Sequence, residues 1–576
     1  MLPTPAWEVA PCKSAEARQK LASTLSISDI AATCLVNRGI LDEKSAEQYL
    51  HPKLRELKPP DHMADLAKGA ARVADAVVAR DRIGVFGDYD VDGLTSTSLM
   101  YLFLRETASA VEVRTADRFS GGYGLDCATV DHYHNCKCSV LVVLDCGTSD
   151  HEAIGYAQSL GIDVVVVDHH RIEAEYPPAH AFINPHRKDC RFDDTTLAAV
   201  GLTFYFCAAI KSQLVHKGYI DNNQIDMRSF LDLVALGTIA DVVPLGQNNR
   251  ILASHGLKMM SDYRRPGIEA LINIARIHSK SIHSSHVSYQ LAPRINAAGR
   301  LANAMDAFEL LVSTVESDAR QYAELLEHYT HERREIEARV SKEARAQALS
   351  QVDNDPKVIL VCGDGWHKGV LGIVAARLCE EFGRPVFVVG FDNGLGTGSA
   401  RGQGQINLYN SLEHCSSWLV RYGGHRDAAG FSIEKKNRDA FHTQLDKYAA
   451  SHWVAQNNDV LLCDATLNPS QLTSSLLEEI VRMGPFGFDN SEPVFNVIGL
   501  DVLSARVVGT HHLKLLLKTP TGTVSAFGPM MGEYASNIPR IINVAASLAA
   551  DEWRGDDSIE LKLAAPPVAC SDKDLF

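Results

Sequence analysis

The chain has no apolar run long enough to span a bilayer, which excludes an integral helical membrane protein. Its opening stretch, MLPTPAWEVAPCKSAEARQK, lacks the apolar core of a secretion signal, so the expected compartment is the cytoplasm. A disulfide framework is missing as well: 13 cysteines, an odd number, are scattered through 576 residues, as expected of reduced thiols. There is no basic excess. The formal net charge is −15, so the whole-molecule field repels phosphates and a nucleic-acid ligand needs a local basic groove. What remains is an ordinary globular composition, 46% hydrophobic and 22% charged. The chain is too long for one core, and about three or four domains are expected.

The most informative stretch is IGVFGDYDVDGLTSTS at 83–98. An apolar segment at 83–86 leads into carboxylates at alternate positions, Asp88, Asp90 and Asp92, then Gly93 and a helical pattern at 94–104. If the segment is a strand, the carboxylates sit at its carboxyl end, where open parallel sheets bind ligands. Carboxylates this close repel unless a cation neutralises them, and hard divalent metals take oxygen ligands. The plainer alternative is an acidic loop with Asp88 capping the helix.

The pattern recurs. SVLVVL at 139–144 ends at Asp145, and IDVVVV at 162–167 ends at Asp168, His169 and His170. With a short run at 111–113, these β-branched segments between helices predict a buried parallel sheet. Their acidic carboxyl ends would converge on one crevice. LDLVALGTIA at 231–240 precedes Asp241, which on spacing alone is equally a ligand or a helix-end residue. Mixed Asp and His ligands suit manganese, zinc or magnesium, with manganese a natural compromise. HYHNCKC holds His132, His134, Cys136 and Cys138 in strict alternation. That matches no finger or ribbon spacing, and on a helix alternate residues point about 200° apart, so no four-ligand zinc site is expected.

The flanking regions add context. Residues 1–60 carry short helical patterns and form an accessory segment. Residues 268–350 are mainly helical, with Arg294 and Arg300 in LAPRINAAGRL and a long Glu/Arg/Ala-rich helix at 318–349 suited to connecting two lobes. A second α/β unit starts at 357. GTGSAR at 396–401 carries Ser399 and Arg401, and YGGHRDAAG at 422–430 reads as a glycine-bounded loop. Glycine-rich amides with Arg and His suit a phosphate. From 460 to 565 the texture is β, with strands at 496–505, 513–517 and 523–527 and turns at Gly509 and at Thr521 and Gly522. An OB-type barrel fits the size, with Lys514, Lys518, Phe527 and Trp553 as candidate single-strand contacts. Phe527 is more readily read as a core aromatic.

In chain order, GDYDVDG, VVLDCG, VDHH and GTIADVVPL resemble the four acidic motifs of the DHH phosphoesterase superfamily. LAPRINAAGR, WHKGVLGIVAARL, GSAR and GGHRDAAGF resemble its DHH-associated domain. With PFGFDNSEPVF and the final β region, the pattern is similar to that of the superfamily's single-strand-specific 5′→3′ DNA exonucleases. The resemblance implies two α/β lobes joined by a long helix, plus an OB-type β-barrel. The expected divisions are 1–60 (accessory), 61–265 (DHH catalytic), 266–352 (helical region and connector), 353–455 (DHH-associated) and 456–576 (OB-like). It implies two manganese or magnesium ions held by Asp88, Asp90, Asp92, Asp145, His169 and Asp241, with Asp145 bridging. Asp90, Asp145, His169 and His170 would serve the chemistry, His170 facing the scissile phosphate. A second pocket, for the terminal 5′-phosphate, is implied at Ser399 and Arg401 with Arg294, Asn296, Arg300, His367, Gly423, Gly424 and His425. The implied activity is digestion of single-stranded DNA to mononucleotides in repair and recombination, by a monomer partnered by a helicase and a single-strand-binding protein.

The sequence departs from the family pattern in places. Phe86 stands where many relatives have a His, so the second ion would draw on Asp88 or water. Ser120, Gly121, Gly122 and Tyr123 lack the usual acidic residue, LAAV at 197–200 replaces a glycine-rich turn, and Gly402 follows Arg401 where Ser is common. Two rival functions stand beside the exonuclease. A small-substrate phosphodiesterase acting on oligonucleotides or cyclic dinucleotides is disfavoured by the added β region and connector. A non-catalytic DNA-binding scaffold is disfavoured by the complete acidic motifs.

Overall fold

The computed structural model describes residues 7–570 apart from 118–123, 173–174, 263–264, 354, 456–459, 521 and 552–554. The motif at 120–123, Thr521 and Trp553 therefore lie outside the described residues. The chain divides into two compact units. One comprises Met1–Ile295, Ala304–Ala323 and Val460–Phe576; the other comprises Asn296–Asn303 and Glu324–Asp459. Among the described residues, no helix is long and apolar enough to cross a membrane.

The first unit is built on a parallel sheet of β1 (Arg82–Gly87), β2 (Ala110–Thr115), β3 (Cys138–Leu144), β4 (Asp163–Val167) and β5 (Ala181–Ile183), in the order β2-β1-β3-β4-β5. Helices α1 (Leu66–Ala79), α2 (Val91–Glu106), α3 (Ala199–His216) and α4 (Leu231–Ala240) belong to the same unit. Val140, Val142, Val164 and Val166 are fully buried, which is why these strands are apolar on both faces rather than alternating. Strand register sets where the acidic residues fall. Gly87 lies opposite Leu144, Leu144 opposite Val167, and Val167 opposite Ile183. The next residue of each strand extends the ladder: Asp88 N–H donates to Leu144 C=O (3.3 Å), Asp145 to Val167 (3.0 Å) and Asp168 to Ile183 (3.0 Å). Three acidic strand ends are thus set in one row.

The same unit carries the barrel. Strands β11 (Phe495–Val508), β12 (His512–Thr519), β13 (Gly522–Gly528), β14 (Ile541–Asp551) and β15 (Gly555–Leu563) close in the order β11-β12-β13-β15-β14-β11. Leu513, Leu515 and Leu517 point inward, alternating with Lys514, Leu516 and Lys518. The amino-terminal helices Ala15–Leu25, Asp29–Asn37 and Glu43–Leu50 share this core: Leu21, Leu35 and Val36 join Phe495, Leu513 and Leu515. Strand Trp7–Val9 pairs in parallel with Leu461–Cys463. Phe527 is not a core residue. It is half-buried and lines a cavity of about 790 Å³ with Arg506, Lys514, Asp551 and Glu560, while Lys514 is ion-paired to Glu560.

Helix α5 (Glu316–Val352) starts in the first unit and ends in the second. At 37 residues it is about 55 Å long. The second unit's sheet comprises β6 (Ile359–Asp364), β7 (Val386–Asp392), β8 (Leu395–Arg401), β9 (Leu419–Gly424) and β10 (Ala428–Glu434), ordered β9-β10-β8-β7-β6, with helix α6 (Leu371–Phe382) against β7 and β8. YGGHRDAAG is therefore not a loop but a hairpin, β9 turning into β10 at His425, Arg426 and Asp427. GTGSAR lies within strand β8, where its glycines make room for an aromatic ring: a Cβ on Gly398 would stand 2.2 Å from the Phe431 ring.

Candidate metal centre

The carboxyl ends of β1, β3 and β4 carry the expected ligands, each held by a different local device. Asp88 follows β1 directly and is 3% exposed. Asp90 is the N-cap of α2, its side chain accepting from Gly93 N–H at 3.1 Å, so the capping role anticipated for Asp88 belongs to Asp90. Gly93 is required by close approach, since a Cβ there would stand 2.5 Å from the Asp88 carbonyl oxygen. Asp92, 1% exposed, points across to another helix: its carboxylate accepts from Ala199 N–H (2.7 Å) and Val200 N–H (2.8 Å), the first amides of α3. The LAAV replacement of a glycine-rich turn is harmless for that reason, because the contact uses backbone. Asp145 takes a positive φ of 60°, a strained conformation for a side chain of this kind, immediately after β3. Asp241 is both things its position allowed, the C-cap of α4 and a member of the cluster.

These groups meet. His169 Nε2 lies 3.3 Å from Asp145 Oδ1, 3.6 Å from Asp241 Oδ2 and 3.9 Å from Asp92 Oδ2. Ligand atoms converge within 4.8 Å in the groups Asp88, Asp90 and Asp145; Asp92, His169 and Asp241; and Asp145, His169 and His170. Asp168 is the organiser that motif reading passed over. Its Oδ1 accepts from the His169 and His170 amides and bonds His170 Nδ1 at 2.7 Å; its Oδ2 accepts from the Thr148 amide and hydroxyl. Asn184 completes the shell by donating to Thr148 Oγ1 and to the His170 carbonyl. Phe86 lies in the sheet core, 1% exposed, and offers the site nothing.

Electrostatics follow from crowding. Burial, then the charges of Asp241 and Asp90, push the Asp92 carboxyl well above the usual range, despite its two amide donors. Burial and the carboxylates of Asp92, Asp90, Asp88 and Asp168 do the same to Asp145. Burial and Asp90 raise Asp241 to about 7. Burial, aided by the neighbouring His170, lowers His169 to about 4 and leaves a neutral imidazole, the form that ligates metals. His170 moves the other way: burial opposes its charge, but the hydrogen bond and charge of Asp168 prevail and bring it to about 9. A divalent cation among these oxygens would restore their ionised forms. A buried set of carboxylates with one neutral imidazole fits Mn²⁺ or Mg²⁺.

The second group of expected residues lies mainly in the other unit. Arg401 Nη1 donates to Ser399 Oγ (3.2 Å) and to the Ala400 carbonyl. A Cβ on Gly372, near the start of α6, would stand 3.1 Å from both Arg401 Nη2 and Ser399 Oγ. Arg300 donates to the Gly369 carbonyl (3.1 Å), and His367 Nδ1 accepts from the Gly369 amide (3.2 Å). One short segment, 367–372, therefore carries His367 and sits against Arg300, Ser399 and Arg401. Gly424 has φ +133° at the end of β9, and the His425 amide closes the hairpin onto the Ala428 carbonyl. Gly423 pairs with Gly430, and Gly402 N–H bonds the Asp427 carbonyl, so the residue after Arg401 contributes backbone only. Asn296 belongs to this unit, whereas Arg294 belongs to the first and donates to the Gln290 carbonyl.

Family models match three stretches: the DHH family N-terminal domain at 82–238, the DHHA1 domain at 354–451 and the RecJ OB domain at 463–565. The single-stranded-DNA-specific exonuclease RecJ of Escherichia coli (strain K12) is 32% identical over 91% of this chain and 93% of its own. The protein of the same name from Haemophilus influenzae is 33% identical over 88% of this chain and 91% of its own. RecJ of Thermus thermophilus, solved in complex with Mn²⁺, superposes with a TM-score of 0.81 at 27% identity, covering 98% of this chain and 80% of that one. Its Mg²⁺ complex gives 0.76 at 25% identity, covering 99% of this chain and 80% of that one. Fold, acidic centre and barrel together place this chain in the RecJ family of single-stranded-DNA-specific exonucleases.

Proposed function

We propose that this chain digests single-stranded DNA from the 5′ end, releasing mononucleotides by metal-dependent phosphodiester hydrolysis. The observation that carries the reading is the row of strand ends, where Asp88, Asp145 and the Asp168-anchored histidines stand in register with Asp90, Asp92 and Asp241 around them. Asp88, Asp90 and Asp145 would hold one Mn²⁺ or Mg²⁺ ion, and Asp92, His169 and Asp241 the other. When bound, such ions supply charge neutralisation for the phosphodiester and its attacking water. Asp168 fixes the His170 Nδ1 side, so the Nε2 side is the one His170 can turn to a phosphate. That ring is 42% exposed and its raised proton affinity makes it a charged donor at neutral pH. In the second unit, Ser399 and the Arg401 fork, with Arg300, His367 and the His425 turn, would take the terminal phosphate, which gives the reaction its polarity. Asn296, in the same unit, belongs to the same proposed pocket.

We place this activity in the cytoplasm, in DNA repair and recombination, with a monomeric enzyme fed by a helicase and a single-strand-binding protein. Rates on a long single strand, a dinucleotide and pyrophosphate test the substrate class. The long strand is expected to be cleaved fastest; preference for either small substrate overturns the proposal.

A further inference from the structure

A cluster with different ligand chemistry lies on the edge of the first unit's sheet. Glu112 is on the edge strand β2, and His132 lies on helix Cys127–Asn135, whose C-cap is Cys136. His132 Nε2 lies 2.9 Å from Glu112 Oε1, Cys136 Sγ lies 3.6 Å from His132 Nε2, and all three ligand atoms converge within 4.8 Å. None of the three is a member of the acidic centre's ligand groups.

The arrangement is held in place from beneath. Tyr133, next to His132, is fully buried and donates its hydroxyl to the Val85 carbonyl of β1 at 2.7 Å. Gly84 makes that possible, because a Cβ there would stand 2.7 Å from the Tyr133 ring. Gly84 is also the register partner of Glu112. Seating Tyr133 over Gly84 therefore fixes the helix rotation and brings His132 beside Glu112. Residues four apart share a helix face, so Cys136 joins them. Lys137, at φ +60°, then ends the helix and turns the chain into β3. His134 is exposed and Cys138 buried, and neither is among the converging atoms. Of the alternating four, His132 and Cys136 converge with Glu112, an i, i+4 pair with a carboxylate distant in sequence.

We infer that Glu112, His132 and Cys136 bind a zinc-class divalent cation, with a fourth position open to water. Thiolate, imidazole and carboxylate together favour Zn²⁺ or Co²⁺ over the hard Mg²⁺ and Mn²⁺. Bonds of about 2.0–2.3 Å at tetrahedral angles put ligand atoms about 3.3–3.6 Å apart, so Cys136 and His132 already stand at the required spacing. The Glu112 to His132 hydrogen bond, at 2.9 Å, has to open by a few tenths of an ångström, and Glu112 lies within 4.8 Å of Cys136. The helix C-terminus adds a favourable field for a cation. Side-chain exposures of 27% for His132 and 30% for Glu112 leave the site accessible from solvent. The bound ion would tie the edge strand to the helix that follows it.

Titration of the reduced full-length protein with Co²⁺ tests this. A thiolate-to-cobalt absorption band in the near ultraviolet is expected to saturate at one equivalent, to persist in Asp145→Ala and to vanish in Cys136→Ser. Glu112→Gln is expected to keep the band and to weaken Zn²⁺ in chelator competition by about tenfold or more. Cys136→Ser should retain Mn²⁺-dependent nuclease activity, which shows that the variant is folded. Absence of the band from the parent protein, or its survival in Cys136→Ser, overturns the assignment and leaves an ordinary hydrogen bond between Glu112 and His132.

Discussion

Asp168 illustrates how much at the centre depends on a residue that is not itself among the converging ligands. One carboxylate holds the His169 amide, the His170 amide and the His170 ring, while its other oxygen is fixed by Thr148. Removing it frees two histidines at once. Asp168→Ala should lower the Mn²⁺-dependent rate about 10–100-fold, the usual loss for a partner behind the ligands, with fold retained by circular dichroism. An unchanged rate would remove Asp168 from the positioning role. Asp150 offers a test of pH dependence outside the ligands. It accepts from Leu125 N–H at 2.7 Å, yet burial raises its carboxyl to about 6 from the ordinary 3.8. A folded value above the unfolded one means the protonated form is favoured by folding. Stability from this group is present below about pH 4 and is lost as pH rises to about 6. Asp150→Asn keeps an acceptor for Leu125. It should leave the thermal midpoint at pH 4 unchanged and raise stability at pH 7 by about 2 kcal/mol.

At the scale of elements, the site is a product of strand register and of one close helix approach. Gly93 lets the first turn of α2 rest on the Asp88 backbone. Gly93→Ala should displace that turn and weaken Mn²⁺ binding about tenfold, since overpacking against backbone typically costs about 1–3 kcal/mol. Calorimetric titration would measure it; an unaltered affinity would mean the turn has room to move. The strand ends were legible because a buried parallel strand is a continuous apolar run, and the residue after it is visible in sequence. Asp88, Asp145 and Asp168, with His169 just beyond it, could be placed that way; Asp241 follows a helix, and its spacing left ligand and helix-end readings equal. The hold on Asp92 could not, because Ala199 and Val200 contribute only amides, which leave no side-chain signature. The β9–β10 hairpin was obscured for the opposite reason: the glycines of YGGHRDAAG read as a loop, whereas Gly423, Gly424 and Gly430 lie in paired strands. Glu112 and His132 are brought together by parallel pairing and a Tyr133 clamp, long-range facts that spacing within HYHNCKC does not contain.

At the scale of the molecule, the amino-terminal helices are part of the barrel's core rather than an appendage. Leu21, Leu35 and Val36 pack with residues more than 400 positions away, Ser28 bonds Glu479, and Arg38 pairs with Asp464 at 3.0 Å. Arg250 adds a buried tie, donating to the Tyr49, Met483 and Gly484 carbonyls. Deleting residues 1–60 should therefore expose barrel core, seen as increased dye binding and loss of soluble protein. A soluble deletion with parental proteolytic resistance would contradict this shared core. The acidic row is proposed as a metal-dependent nuclease centre acting from a 5′ end. It is tested most directly by digesting single strands labelled at either end, with and without Mn²⁺, by the parent protein and Asp145→Ala. Immediate release of 5′ label as mononucleotide and late release of 3′ label are expected, only with Mn²⁺. Asp145→Ala should not digest the strand, with strand binding largely kept. Early 3′ label, digestion without divalent metal, or full activity in Asp145→Ala would contradict it.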